Sequence, residues 1–144
     1  MKSLDANLLY FATNSRAPGH AKALRLVERI ASEPGDWILA DQVLFEYYRL
    51  IRNPAVLAHP LSASAAASRL AFFRERLGCL HCAYDPKFFG ELLDCLQAPA
   101  FAAARTFDAV LAVTLKSHGV TTFYTRNVRD FRSFGWFSVI DPLA

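Results

Sequence analysis

Residues 106–131 read TFDAVLAVTLKSHGVTTFYTRNVRDF, and the order of patterns inside this stretch decides the fold. Asp108 stands at the start of an apolar-periodic helix, and Gly119 supplies a turn. Residues 120–125 are then rich in β-forming side chains, and a polar cluster at 125–130 closes the run. A helix that feeds a strand with no hairpin signal between them belongs to a parallel α/β layer. The same order brings a helix start, carrying Asp108, and a strand end, carrying Asn127 and Asp130, to one edge of that layer.

Outward from this stretch the alternation continues. At the amino end a strand closes at Ser3-Leu4, and Asp5-Ala6-Asn7 opens a helix to about residue 12, where an acid suits the exposed N–H groups. Residues 14–19 form a turn. Residues 20–31 are amphipathic, with Ala23, Leu24, Val27, Ile30 and Ala31 on one stripe, and Glu33-Pro34-Gly35-Asp36 ends them. A buried strand is predicted at 37–40. Asp41 is the predicted N-cap of a helix over 42–52, with Val43, Leu44, Tyr47, Tyr48 and Ile51 on its apolar side. Asn53-Pro54 stops that helix, because the residue before a proline is pushed out of the helical region.

Residues 55–61 are irregular, and Ser62 or Ser64 caps an Ala-rich helix that Gly78 ends. A third strand is predicted at 79–84, and a helix from Asp85-Pro86 to about residue 97 has Pro86 in its first position. A last strand follows at 137–140. The pattern gives one α/β domain over residues 1–144, with a parallel sheet covered on both faces.

Composition narrows the class. Hydrophobic residues make up 53% and charged residues 20%, which places the chain among globular proteins and away from disordered ones. No apolar run is long enough to span a membrane, and the acid and amide in MKSLDANLLYF argue against a signal peptide. Three cysteines, an odd number, read as reduced thiols in a cytoplasmic protein. The net charge of +3 is a mild excess that serves a nucleic acid only if the basic residues gather on one face.

In a parallel sheet the carboxyl ends of the strands share a rim with the amino ends of the helices that follow. Asp5, Glu46, Asp108, Asn127 and Asp130 all fall on that rim, from four segments far apart in sequence. Clustered carboxylates raise one another's pKa unless a cation is present, and a set of oxygen ligands suits Mg²⁺ or Mn²⁺. Such ions support phosphodiester cleavage. Taken singly, each acid has a plainer reading. Asp5 and Asp108 complement helix amino ends, Glu46 pairs with Arg49, and Asp130 is a turn residue. Convergence on one rim favours the site.

At these residues the chain resembles the PIN-domain nucleases, and most of all the VapC-type toxins of toxin–antitoxin pairs. The matching segments are LDANLLYFA (4–12), LFEYYRLIRNP (44–54), TFDAVLAVTLKSHG (106–119) and YTRNVRDF (124–131). The resemblance implies a three-layer α/β/α sandwich with a central parallel sheet of four to five strands. It implies a Mg²⁺- or Mn²⁺-dependent endoribonuclease, usually a homodimer, that cuts RNA and is silenced by a cognate antitoxin of the VapB type. Carried over by position, Asp5, Glu46 and Asp108 match the three core acids, and Asn7 and Thr125 match polar positions behind them. The fourth acid of many members falls at Asn127 here. Asp130, three residues later, is the acid nearest in sequence to take its place, directly or through water. With one carboxylate fewer, the expectation is a single metal held by Asp5 and Asp108, with Glu46 assisting through water.

Among seven arginines that could line an RNA path (Arg16, Arg49, Arg52, Arg105, Arg126, Arg129 and Arg132), Arg126 and Arg129 flank Asn127 and are the expected phosphate contacts. Cys79 and Cys82 form a C-x-x-C inside a predicted strand and read as small core residues, not as a redox or zinc pair. The aromatic side chains at 45, 47, 48, 72, 73, 88 and 89 are mostly core, with some left for self-association or for an antitoxin helix. Two other readings compete. One is an aspartyl-phosphate phosphatase or receiver domain, disfavoured by Asn7 where a second acid belongs and by Lys116 on the preceding helix. The other is a non-catalytic RNA- or protein-binding module, motivated by Asn127.

Overall fold

The computed structural model describes residues 1–144. Five short strands form the expected parallel sheet: β1 (Lys2–Leu4), β2 (Ile38–Ala40), β3 (Leu80–Cys82), β4 (Thr122–Tyr124) and β5 (Ser138–Ile140). β4 lies between β1 and β5, and β2 pairs with β3. A parallel bridge between Lys2 and Trp37 joins the two parts, so the order across the sheet is β3-β2-β1-β4-β5.

The helices are α1 (Ala6–Thr13), α2 (His20–Ser32), α3 (Asp41–Ile51), α4 (Ala63–Ala71), α5 (Phe89–Leu96), α6 (Thr106–Ser117) and α7 (Val128–Arg132). α1 packs on α2 and α3, and α3 packs on α4, while α5 and α7 pack on α6. These two groups are the outer layers of an α/β/α sandwich. Its core runs through Leu4, Leu39 and Phe123 of the strands to Leu9, Ile30 and Ile51 on one group and Leu111 and Leu115 on the other. No helix is long and apolar enough to cross a membrane.

Several elements differ from the sequence reading, each for a local reason. The buried row of α2 is Ala23, Leu26 and Ile30, while Leu24 and Ala31 are exposed. The buried face is thus turned by about 60° from the predicted stripe. Leu26 is flanked on that surface by Lys22 and Arg29, which mask its apolar signal. Asp41 is the first residue of α3 and not its cap; it pairs with Arg74 at 3.7 Å and still sits where a helix favours negative charge. Ser62, not Ser64, caps α4, accepting from the Ala65 amide. Before Gly78, whose φ of +86° ends the segment, α4 loosens into a π-helical turn over Phe72–Arg76.

The predicted helix from Pro86 begins as a 3-10 turn, capped by Asp85, before α5 starts at Phe89. Cys79 and Cys82 are buried and free, and burial pushes their thiols up to about 11 and about 12, so both stay protonated at neutral pH. The seven aromatic side chains are not mostly core: Tyr47 and Phe73 are buried, Tyr48 and Phe88 are half-buried, and Phe45, Phe72 and Phe89 are exposed.

Candidate active site

The register of β1 against β4 sets the centre of the site. Leu4 pairs with Tyr124, and the Asp5 amide extends the ladder to the Tyr124 carbonyl at 2.9 Å. Asp5 therefore leaves its strand beside Thr125. Its Oδ1 accepts from the Ala6 amide at 2.7 Å, which caps α1. Its Oδ2 accepts from Thr125 Oγ1 at 2.7 Å and from the Asn7 amide group at 3.3 Å. Burial outweighs these bonds and lifts the carboxyl to about 6, with the Glu46 and Asp108 charges pushing the same way.

Asp108 is the third residue of α6 and half-buried. Burial raises its pKa, opposed by Arg105 and reinforced by Asp130 and Glu46. Glu46 lies on α3, where its Oε1 accepts from the Gln42 amide group at 3.1 Å; Arg49, the partner offered by i, i+3 spacing, does not hold it. Gln42 also donates to the Phe107 carbonyl at 2.8 Å and so ties α3 to the first turn of α6. Asn127 follows β4, and its amide donates to Thr125 Oγ1 at 2.9 Å. Thr125, fully buried, thereby joins Asp5 to the segment that carries Asn127.

Asp5, Asn7, Glu46, Asp108 and Asn127 line one open cavity of about 640 Å³. Asp130 does not line it. That residue sits in α7, a five-residue helix where the sequence suggested a polar turn, and its carboxylate lies 3.8 Å from Arg105 Nε. Arg105 also reaches Asp108 at 3.8 Å and donates to the Asp130 carbonyl and to Ser133 Oγ. Between the two residues weighed for the fourth position, Asn127 is the one at the cavity.

The arginines sort differently from expectation. Arg49 of α3 and Arg52 at its carboxyl-terminal cap line the cavity, whereas Arg126 and Arg129 do not. Arg126 is engaged by Asp141 at 3.1 Å and by the face of Phe11. The signal for the other two was helical spacing: Arg49 follows Glu46 by three residues, and Arg52 follows Arg49 by three.

The donor set suits a hard divalent cation. It offers oxygen atoms only, and Asn7 Oδ1 is buried with no hydrogen-bond partner. Two of its carboxyls, Asp5 and Asp108, are raised in pKa first by burial and then by neighbouring carboxylates, Glu46 acting on both, which a cation would reverse. No three of the His, Cys, Asp and Glu side chains stand close enough to enclose an ion by themselves. Asp5, Asp108, Glu46 and Asn127 are the residues able to hold one together with a ligand.

No protein-family model matches the chain. Ribonuclease VapC24 of Mycobacterium tuberculosis is 36% identical over 146 residues, an alignment covering 100% of this chain and 98% of that protein. Among solved structures, M. tuberculosis VapC20, described as a sarcin–ricin loop cleaving toxin, superposes with a TM-score of 0.70 at 15% identity, covering 98% of this chain and 100% of that one. FitAB bound to an IR36 DNA fragment gives 0.67 at 16% identity, covering 100% and 96%. FitAcB from Neisseria gonorrhoeae gives 0.64 at 16% identity, covering 99% and 98%. At these identities the structural likenesses speak for the fold.

Proposed function

The chain belongs to the VapC ribonuclease family of PIN-domain proteins, and from that premise we propose that it is an endoribonuclease, the toxin of a type II toxin–antitoxin pair. The observation that carries the reading is the cavity. Acids from three distant segments, an amide from a fourth and two unneutralised arginines line it together.

Asp5 and Asp108 are the proposed ligands of one Mg²⁺ or Mn²⁺ ion, with Glu46 and Asn127 completing the rim. When bound, such an ion supplies positive charge against the scissile phosphate and lowers the pKa of water. Thr125 and the Ala6 amide hold the Asp5 carboxylate in place. Gln42 occupies Glu46 Oε1 and leaves Oε2 free to accept a proton from an attacking water. Arg49 and Arg52 orient the RNA backbone. Residues 1–144 act as one nuclease domain in the cytoplasm, as a homodimer. The cognate antitoxin fits the apolar cleft between α1, α2 and the π-helical turn, lined by Leu24, Val27 and Phe72, as an amphipathic helix would.

Purified protein incubated with a panel of structured RNAs tests this reading. Cleavage should require Mn²⁺ or Mg²⁺, stop in EDTA, and fall at least about 100-fold in Asp108→Asn, since even supporting residues of metal sites cost 10- to 100-fold. Calorimetric Mn²⁺ titration should lose its signal in Asp5→Asn and Asp108→Asn; unchanged binding refutes the ligand assignment. The neutral Asn127 favours a second reading, a PIN-fold module that binds RNA without cutting it. RNA binding without cleavage under any metal would select that alternative.

A further inference from the structure

We propose that Gln42 is a positioning residue of the active site, a strut whose two N–H groups set the separation of Glu46 from Asp108. The inference deepens the ribonuclease reading above and rests on it. Glu46 lies on α3 and Asp108 on α6, helices in opposite outer layers of the sandwich. Between these two helices there is one hydrogen bond and no ion pair: Gln42 Nε2 donates to the Phe107 carbonyl at 2.8 Å. The same nitrogen donates to Glu46 Oε1 at 3.1 Å, and this is the one hydrogen bond to the Glu46 carboxylate. The Asp5 carboxylate, by contrast, accepts three.

An i, i+4 contact between Gln and Glu is ordinary on a helix surface. The second bond, to a residue 65 positions away, is what makes this side chain a strut. Both partners, a carboxylate and a carbonyl, only accept, so the amide nitrogen and not its oxygen faces them, and each takes one N–H. With both donors committed, the side chain cannot turn toward one partner without losing the other. Phe107 directly precedes Asp108, so the fixed point on α6 is the residue next to the acid. Asp5, Glu46 and Asp108 line one cavity, and their like charges push apart. Gln42 does not line that cavity, so it holds Glu46 from outside and occupies no place that an ion or a phosphate would fill. A misplacement of about 1 Å from a change outside the reacting centre can cost about 100-fold in rate.

The test is calorimetric Mn²⁺ titration and steady-state RNA cleavage by the whole protein carrying Gln42→Met, which keeps the length of the side chain and removes both donors. Mn²⁺ affinity and kcat should each fall by about 10- to 100-fold, with KM for RNA unchanged. Gln42→Glu, which sets a further carboxylate against Glu46 and the Phe107 carbonyl, should lower kcat at least as far. In a Glu46→Ala background, Gln42→Met should cost less than about 3-fold more in Mn²⁺ affinity, because the strut then has nothing to hold. Equal loss with and without Glu46, or a raised KM at wild-type kcat, overturns the inference. So do losses that only follow the fraction of unfolded protein in both Gln42 variants, which would make the residue a structural one. Cleavage separates the two levels. If the wild-type protein binds Mn²⁺ without cutting RNA, the ribonuclease is refuted, and a Glu46-dependent drop in Mn²⁺ affinity supports the strut by itself. Cleavage at wild-type kcat in Gln42→Met keeps the ribonuclease and refutes the strut.

Discussion

Asp5 accepts three hydrogen bonds and is still lifted from 3.8 to about 6, so its burial must be the dominant influence. Because the folded pKa lies above the unfolded one, the folded chain binds more protons between those values. In metal-free protein, stability should therefore fall as pH rises from about 4 to about 6 and stay lower above, by about 3 kcal/mol from this group. Asp5→Asn removes the charge, and in EDTA it should raise urea-unfolding stability at pH 7 by about 1–2 kcal/mol with no gain at pH 4. A gain of equal size at both pH values would show that the carboxylate carries no such strain. Thr125→Val leaves Asp5 Oδ2 short of its closest donor and should cost about 1–3 kcal/mol, with Thr125→Ser recovering most of it. The identities of these residues were legible from the sequence. Their burial was not, because it follows from the pairing of β1 with β4 across more than a hundred positions.

Among the elements, local punctuation set some ends as expected and others not, since Asp41 begins α3 without capping it and Pro86 opens a 3-10 turn before α5. A proline after Asn53 stops α3, a serine at 62 caps α4, and a positive-φ glycine at 78 closes the π-helical turn that extends α4, as local chemistry requires. α7 escaped notice because it is five residues long and Asn127 gives it no side-chain cap. What holds it is tertiary: Arg105 donates to the Asp130 carbonyl and Ser133 Oγ, and its guanidinium lies 5.5 Å from the Phe101 ring centre and 5.1 Å from that of Phe134. Arg105→Ala should cost about 2–4 kcal/mol, from charge-assisted bonds and lost ring contacts. Hydrogen exchange should speed up chiefly in the amides of residues 131–135, with β1 and β4 unchanged. Uniform loss of protection would mean that Arg105 supports the whole fold and not this one helix.

Across the whole molecule, a net charge of +3 says little until the cations are sorted by partner. Lys2 is engaged by Glu33 and Asp36, Arg74 by Asp41, Lys87 by Asp85, Lys116 by Glu91, Arg126 by Asp141 and Arg105 by Asp108 and Asp130. Arg49 and Arg52 stand at the cavity without an acidic partner, Arg52 resting on the Tyr48 hydroxyl at 3.0 Å. No spacing rule could have made this division, since Arg126 meets Asp141 only because β4 and β5 lie side by side. The division predicts how binding should answer to salt. Titrating single-stranded RNA in EDTA across a range of ionic strength, Arg49→Ala and Arg52→Ala should each flatten the slope of log K against log salt by about 0.7, one phosphate contact apiece. Arg126→Ala should change it by less than half as much, because Asp141 already neutralises that charge. If all three variants flatten the slope equally, the RNA path runs past β4 as well as along α3, and Arg126 rejoins the binding face that its sequence position first suggested.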